Sequence, residues 1–151
     1  MTAAHLLAAI LALWGRSLTG HDRGALERRA GLVVASARAH DVPLHVLAAV
    51  CWHESRMGTA RAYASMCGVR MRGRYVSDDA VSAEVAARTL RAMLSRCRGT
   101  RAALAAYRTD GRCADPRGAA YAGMVLATAE RVAGALAEAE EHLAPSDHGA
   151  E

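Results

Sequence analysis

Residues 43–55 read PLHVLAAVCWHES, and the placing of their apolar side chains decides the fold. Leu44, Leu47, Ala48, Cys51 and Trp52 recur at i, i+3, i+4, i+7 and i+8, the spacing of one buried helical stripe. Pro43 suits a first helical position, where its fixed φ fits and its missing N–H is no loss. The pattern predicts a central, deeply buried helix over 43–56 that stops at Gly58.

The same period continues on both sides. Leu26, Ala30, Val33 or Val34, and Ala37 predict a helix from Arg23 to Ala39, broken by His40-Asp41-Val42. Val81, Val85, Leu90, Met93, Leu94 and Cys97 predict another over 78–97, closed by Gly99. Thr100 is expected to cap a short helix to Arg108, with a turn at Thr109-Asp110-Gly111. Tyr121, Val125, Val132 and Leu136 mark a long helix over 117–142. Residues 58–77 are irregular and hold the only room for short strands. The expected class is mainly α, and α+β at most.

Composition agrees. Of 151 residues, 36 are alanine and only three are proline, while phenylalanine is missing. Strand formers are thin, so an all-β fold is improbable. Hydrophobic residues make up 52% and charged residues 23%, which excludes a disordered chain. No apolar run reaches the roughly 18 residues of a spanning helix, so stable membrane insertion is not expected.

The chain divides into an apolar segment (1–20), a main domain (21–142) and a flexible acidic tail (143–151). Residues 3–14, AAHLLAAILALW, read as a packed helix or a degenerate signal. The first cation is Arg16 and no A-x-A site follows the apolar run.

Lysine is missing, so all 19 cations are arginine, and the net charge is +4 with a pI near 9.2. That balance favours anionic partners. The arginines are interleaved with acids from Arg16 to Arg131, and no nucleic-acid signature accompanies them. The chain also lacks a phosphate loop, a dinucleotide fingerprint, G-x-S-x-G, HExxH and CxxC, so no cofactor or metal is indicated.

Glu54 is the first candidate for chemistry. It stands at the edge of the apolar stripe of its helix, just before the loop. Partial desolvation penalises a charged carboxylate, and a carboxyl that keeps its proton near neutral pH can act as a general acid. The plainer reading is a helix-end glutamate paired with Arg56 or another arginine.

The longer stretch ASARAHDVPLHVLAAVCWHES, Ala35 to Ser55, resembles the opening motif of the soluble lytic transglycosylases and goose-type lysozymes. In those families a helix introduced by a G-V-x-P-like turn ends in Glu-Ser. Gly68-Val69-Arg70-Met71 stands where they carry Gly-Leu-Met-Gln. Ala105 to Gly111, AAYRTDG, resembles their Ala-Tyr-Asn-x-Gly stretch, and Ala119 to Val125, AAYAGMV, their closing helix. The ordered set covers about 35–130. The chain departs from it at Met71, where the family has Gln, at Arg108, where it has Asn, and at Gly111, which falls one position late.

The resemblance implies a lysozyme-like helical domain acting on peptidoglycan, and a monomer is expected. Glu54 becomes the acid and then the base, Ser55 a hydrogen-bonding neighbour, and Tyr107 a support for Glu54 or the sugar. Met71, Arg108 and Tyr121 fall at cleft positions. Most glycosidases need two carboxylates about 5–9.5 Å apart, and Asp78 and Asp79 are the candidates for a second. Both fall where a helix begins, so capping is their plainer role. The transglycosylase variant works with one carboxylate. A non-catalytic glycan-binding or structural protein of an envelope or virion assembly is the alternative, favoured by the altered cleft motifs and opposed by Glu54-Ser55.

The four cysteines, Cys51, Cys67, Cys97 and Cys113, are separated by 16, 30 and 16 residues, which fits no common zinc pattern. Two disulfides in an extracytoplasmic protein are expected, against free core thiols. Of three connectivities, Cys51–Cys97 with Cys67–Cys113 is the expected one, tying the Glu54 helix to the 78–97 helix. His53 lies about 100° round the helix from Glu54 and reads as a surface or supporting residue.

Overall fold

A computed structural model describes residues 1–60, 65–109, 111–113 and 115–144. Among these are six α-helices: α1 (Ala3–Trp14), α2 (Arg23–Ala39), α3 (Leu44–Ser55), α4 (Asp79–Arg96), α5 (Thr100–Arg108) and α6 (Ala119–Leu143). Two-residue strands β1 (Arg70–Met71) and β2 (Arg74–Tyr75) form the only sheet of the described residues. The class is mainly α. The tail beyond Ala144 lies outside the described residues.

Helix α3 is the axis of the packing and touches α2, α4 and α6. Leu47, Ala49, Val50 and Cys51 are fully buried along it. Their neighbours in the core include Leu6 and Ile10 of α1, Val33 of α2, Leu90 of α4, Leu104 of α5 and Val125 of α6. Burying a leucine or isoleucine of this kind contributes about 1.5–3 kcal/mol. Helix α1 packs on α2 and α6, and Trp14 stacks on Trp52 with ring centroids 3.9 Å apart.

The boundaries of α2 agree with the spacing of its apolar residues, and Asp22 caps it by accepting from the Gly24 N–H at 2.8 Å. Helix α3 ends earlier than Gly58. Arg56 and Met57 already take left-handed φ of 51° and 57°, and Gly58 follows at 77°. This reversal turns Met57 into the core, where it is fully buried. Gly99, not Thr100, is the cap of α5; its φ of 85° and ψ of 158° belong to a region open almost only to glycine.

Among the described residues, strand content is confined to the expected stretch. Arg70 pairs with Tyr75 and Met71 with Arg74, across a two-residue turn at Arg72 and Gly73. Both turn residues have positive φ, 50° and 80°, the geometry that matches hairpin twist.

The disulfide pairing differs from expectation. Cys51 is joined to Cys67, and Cys97 to Cys113, so Cys51–Cys97 does not form. The reversal at 56–58 sends the chain back along α3, which brings Cys67 to Cys51. Cys97 lies at the far end of α4 in a small cluster with Ala103 and Ala106 of α5, where the chain returning after α5 presents Cys113. Each bridge therefore closes a local loop and spans 16 residues.

Candidate active site

The last turn of α3 opens into a cleft of about 730 Å³. His53 and Glu54 form one wall, the segment Cys67–Arg70 with Tyr75 a second, Val85 and Thr89 of α4 a third, and Tyr107, Arg108, Tyr121 and Met124 the fourth. Glu54 is half-buried and is the only carboxylate among the described lining residues.

The loop that faces Glu54 is anchored by buried polar groups. Ser55 is buried at the end of α3; its hydroxyl donates to the Met66 carbonyl and accepts from the Gly58 N–H at 2.8 Å. Ser82 of α4 is fully buried, accepts from the Cys67 N–H at 3.0 Å and meets the Ser65 hydroxyl at 2.9 Å. Ser65 in turn accepts from the Val69 N–H at 3.0 Å. With Cys51–Cys67, these bonds fix Gly68 against the catalytic candidate.

Two tyrosines stand over Glu54. Burial, and then the negative charge of Glu54, push the Tyr107 hydroxyl well above the ordinary tyrosine range, and the same two causes act in the same order on Tyr121. Both therefore stay protonated donors at any working pH. The Tyr121 hydroxyl is buried and completes no hydrogen bond of normal geometry among the described residues, yet the Glu54 carboxylate acts on it. The two rings come together because α5 and α6 approach closely: a β-carbon at Gly118 would fall on the Ala105 backbone.

Of the residues expected at the site, Glu54, Tyr107, Arg108 and Tyr121 share this cleft. The Arg108 guanidinium lies 5.7 Å from the centre of the Tyr121 ring. Ser55 lies beneath the site and supports the loop. Met71 is 49% exposed and, paired with Arg74, points to the opposite face of the hairpin from Arg70 and Tyr75. Asp78 caps α4 by accepting from the Val81 N–H at 3.0 Å. Asp79 pairs with Arg29 at 2.7 Å on another face of the protein. Neither aspartate lines the cleft.

Sequence reading missed Ser65 and Ser82, because isolated serines carry no periodic signal. It also left out Arg70, Tyr75 and Thr89, and read His53 as a surface or supporting residue. The His53 ring does reach solvent, but it lines the cleft and its Nε2 meets the Thr128 hydroxyl at 2.7 Å. Burial lowers its pKa below that of a free imidazole, opposed by the Met124 carbonyl and by Glu54. One carboxyl, two neutral hydroxyl donors and two arginines can protonate a leaving oxygen and hold a polar, anionic ligand beside it. Among the described residues no cluster of three or more candidate metal ligands occurs, and no helix is long and apolar enough to cross a membrane. Comparison with known protein families, with curated proteins and with solved structures finds no match to this chain.

Proposed function

We propose that the chain cleaves the glycan strand of peptidoglycan, as a lytic transglycosylase or muramidase, with Glu54 as the single acid and base. The observation that carries this reading is the position of Glu54: the only carboxylate of the described cleft, set against Gly68 and under the partly buried Tyr107 and the buried Tyr121. The ordered motifs from Ala35 to Val125 supply the reaction class.

In the reaction the Glu54 carboxyl gives its proton to the glycosidic oxygen, and the bond from the anomeric carbon to that oxygen breaks. The substrate's N-acetyl group stabilises the cation left on the sugar. The Glu54 carboxylate then takes a proton from the muramyl 6-hydroxyl, whose oxygen closes a 1,6-anhydro ring; a water in its place gives a reducing end. Tyr121 can donate to the carboxylate while it is charged, which lowers the energy of the state after proton transfer. Two disulfides support work outside the reducing cytoplasm.

Mass spectrometry of muropeptides released from purified wall tests the reading. Wild type should release anhydro or reducing ends, and Glu54→Gln should lose about 10²–10⁴-fold while staying folded. If wild type and Glu54→Gln bind glycan equally and neither cuts it, the protein is a non-catalytic glycan-binding or structural component instead.

A further inference from the structure

Glu54 apart, the charged residues that line the cleft are arginines, Arg70 and Arg108. Between Glu54 and Asp78 the sequence carries five arginines and no acid. Three of these, Arg70, Arg72 and Arg74, fall on the hairpin that forms the cleft lip. Arg70 faces the cleft with Tyr75; its Nη2 donates to the Tyr75 hydroxyl at 2.8 Å, and its guanidinium lies 4.3 Å from the centre of that ring. None of Arg70, Arg72, Arg74 or Arg108 enters a salt bridge among the described residues.

We propose that Arg70, held in place by Tyr75, is the docking point for a free carboxylate carried on the glycan strand, so that the cleft selects acidic strands over neutral ones. This rests on the glycan-cleaving reading above. A guanidinium has five N–H donors in a rigid fork, and only one is committed to Tyr75. The remaining donors match the two oxygens of a planar carboxylate. Stacking on the ring fixes the plane of the fork before the ligand arrives, so less side-chain freedom is lost on binding. Arg72, at the hairpin turn beside it, adds to the attraction, which is screened over about 8 Å at physiological salt.

The test uses glycan strands stripped of phosphate polymers, with their carboxyls either free or converted to amides. Affinity is measured on the Glu54→Gln protein, which leaves strands uncut, and cutting on the wild type. Free strands should bind about tenfold more tightly than amidated ones at low salt. That preference should vanish in the Glu54→Gln/Arg70→Gln protein and return in part in Glu54→Gln/Arg70→Lys, which restores the charge without the fork. Equal affinity of Glu54→Gln for free and amidated strands, with wild type cutting both alike, overturns the carboxylate site and leaves the cleavage reading standing. Tight binding only of walls that keep their phosphate polymers also overturns it, in favour of phosphate. If wild type cuts neither strand and Glu54→Gln binds neither, the cleavage reading fails and the docking site falls with it.

Discussion

Gly68 and Glu54 fit together through the side chain that Gly68 lacks: a β-carbon there would stand 2.6 Å from the Glu54 Cβ and 2.7 Å from its Oε2. Gly68 also holds a φ of 68°, which costs a residue with a β-carbon about 1–2 kcal/mol. Both demands fall on one position, and both are met by having no side chain. The loop is thereby able to close over the last turn of α3 and leave the carboxyl facing the cleft.

Gly68→Ala should therefore melt at a lower temperature than wild type and lose more activity than its stability loss explains. The added methyl must push either the loop or the Glu54 side chain, and a displacement of about 1 Å at a reacting group can cost roughly 100-fold. Melting and wall digestion on the same preparation would decide the point. A fully active variant with unchanged melting would show that Glu54 is not held by this contact.

The two disulfides offer a comparison in which loop length cancels. Both bridges span 16 residues, so in the loop-entropy picture each should contribute a similar amount, about 3 kcal/mol. Their positions differ. Cys51–Cys67 ties α3 to the segment that begins Gly68, whereas Cys97–Cys113 closes the far end of α4 and α5. Peptide mapping of the oxidised protein should recover these two pairs. Double serine variants should lose similar stability, while only Cys51→Ser/Cys67→Ser loses most activity among molecules that remain folded. Equal activity in the two variants would detach the first bridge from the site.

The legible part of this fold was its periodic part. The stripe of Leu47 and Cys51, and the spacing of Leu26, Ala30 and Val33, placed α3 and α2 to within a residue or two, because burial along a helix repeats every 3.6 residues. Glu54 was legible for the same reason: a carboxylate at the edge of such a stripe is conspicuous. The cysteine pairing was not, since it depends on the left-handed reversal at Arg56 and Met57, two residue types that give no turn signal. Nor were Ser65 and Ser82, whose hydroxyls matter only once the loop has met α4. Asp78 followed local capping chemistry, and its plainer reading is the one the structure displays.

Acid should weaken the fold through histidines. Burial lowers the pKa of His45, and of His53 against its opposing neighbours, below the unfolded value near 6.5. Between the two values the unfolded chain binds more protons than the folded one, so stability falls as pH falls. The contribution is whole above the unfolded value and is lost as pH drops through the lowered folded value. His45 does not line the cleft, so His45→Gln isolates the effect from catalysis. Wild type should lose more melting temperature than His45→Gln between pH 8 and pH 5; parallel curves would remove His45 from the account.

Tyr121 separates support of the reaction from support of the fold. The Tyr121 hydroxyl is buried and completes no hydrogen bond of normal geometry among the described residues, an arrangement that costs about 1–3 kcal/mol, so removing it in Tyr121→Phe should leave melting unchanged or raise it. The ring, and with it the packing against Arg108, is retained. If the hydroxyl, already close enough to feel the Glu54 carboxylate, donates to it more strongly once its proton has gone, the bond strengthens on proton transfer. Its loss should then lower kcat with little change in KM, by about 10–100-fold for a hydrogen bond to a charged group. A variant that is both more stable and slower would carry the signature of a group kept for chemistry at a cost to the fold. Unchanged kcat with raised stability would sink the assignment and leave Tyr121 as a wall of the cleft.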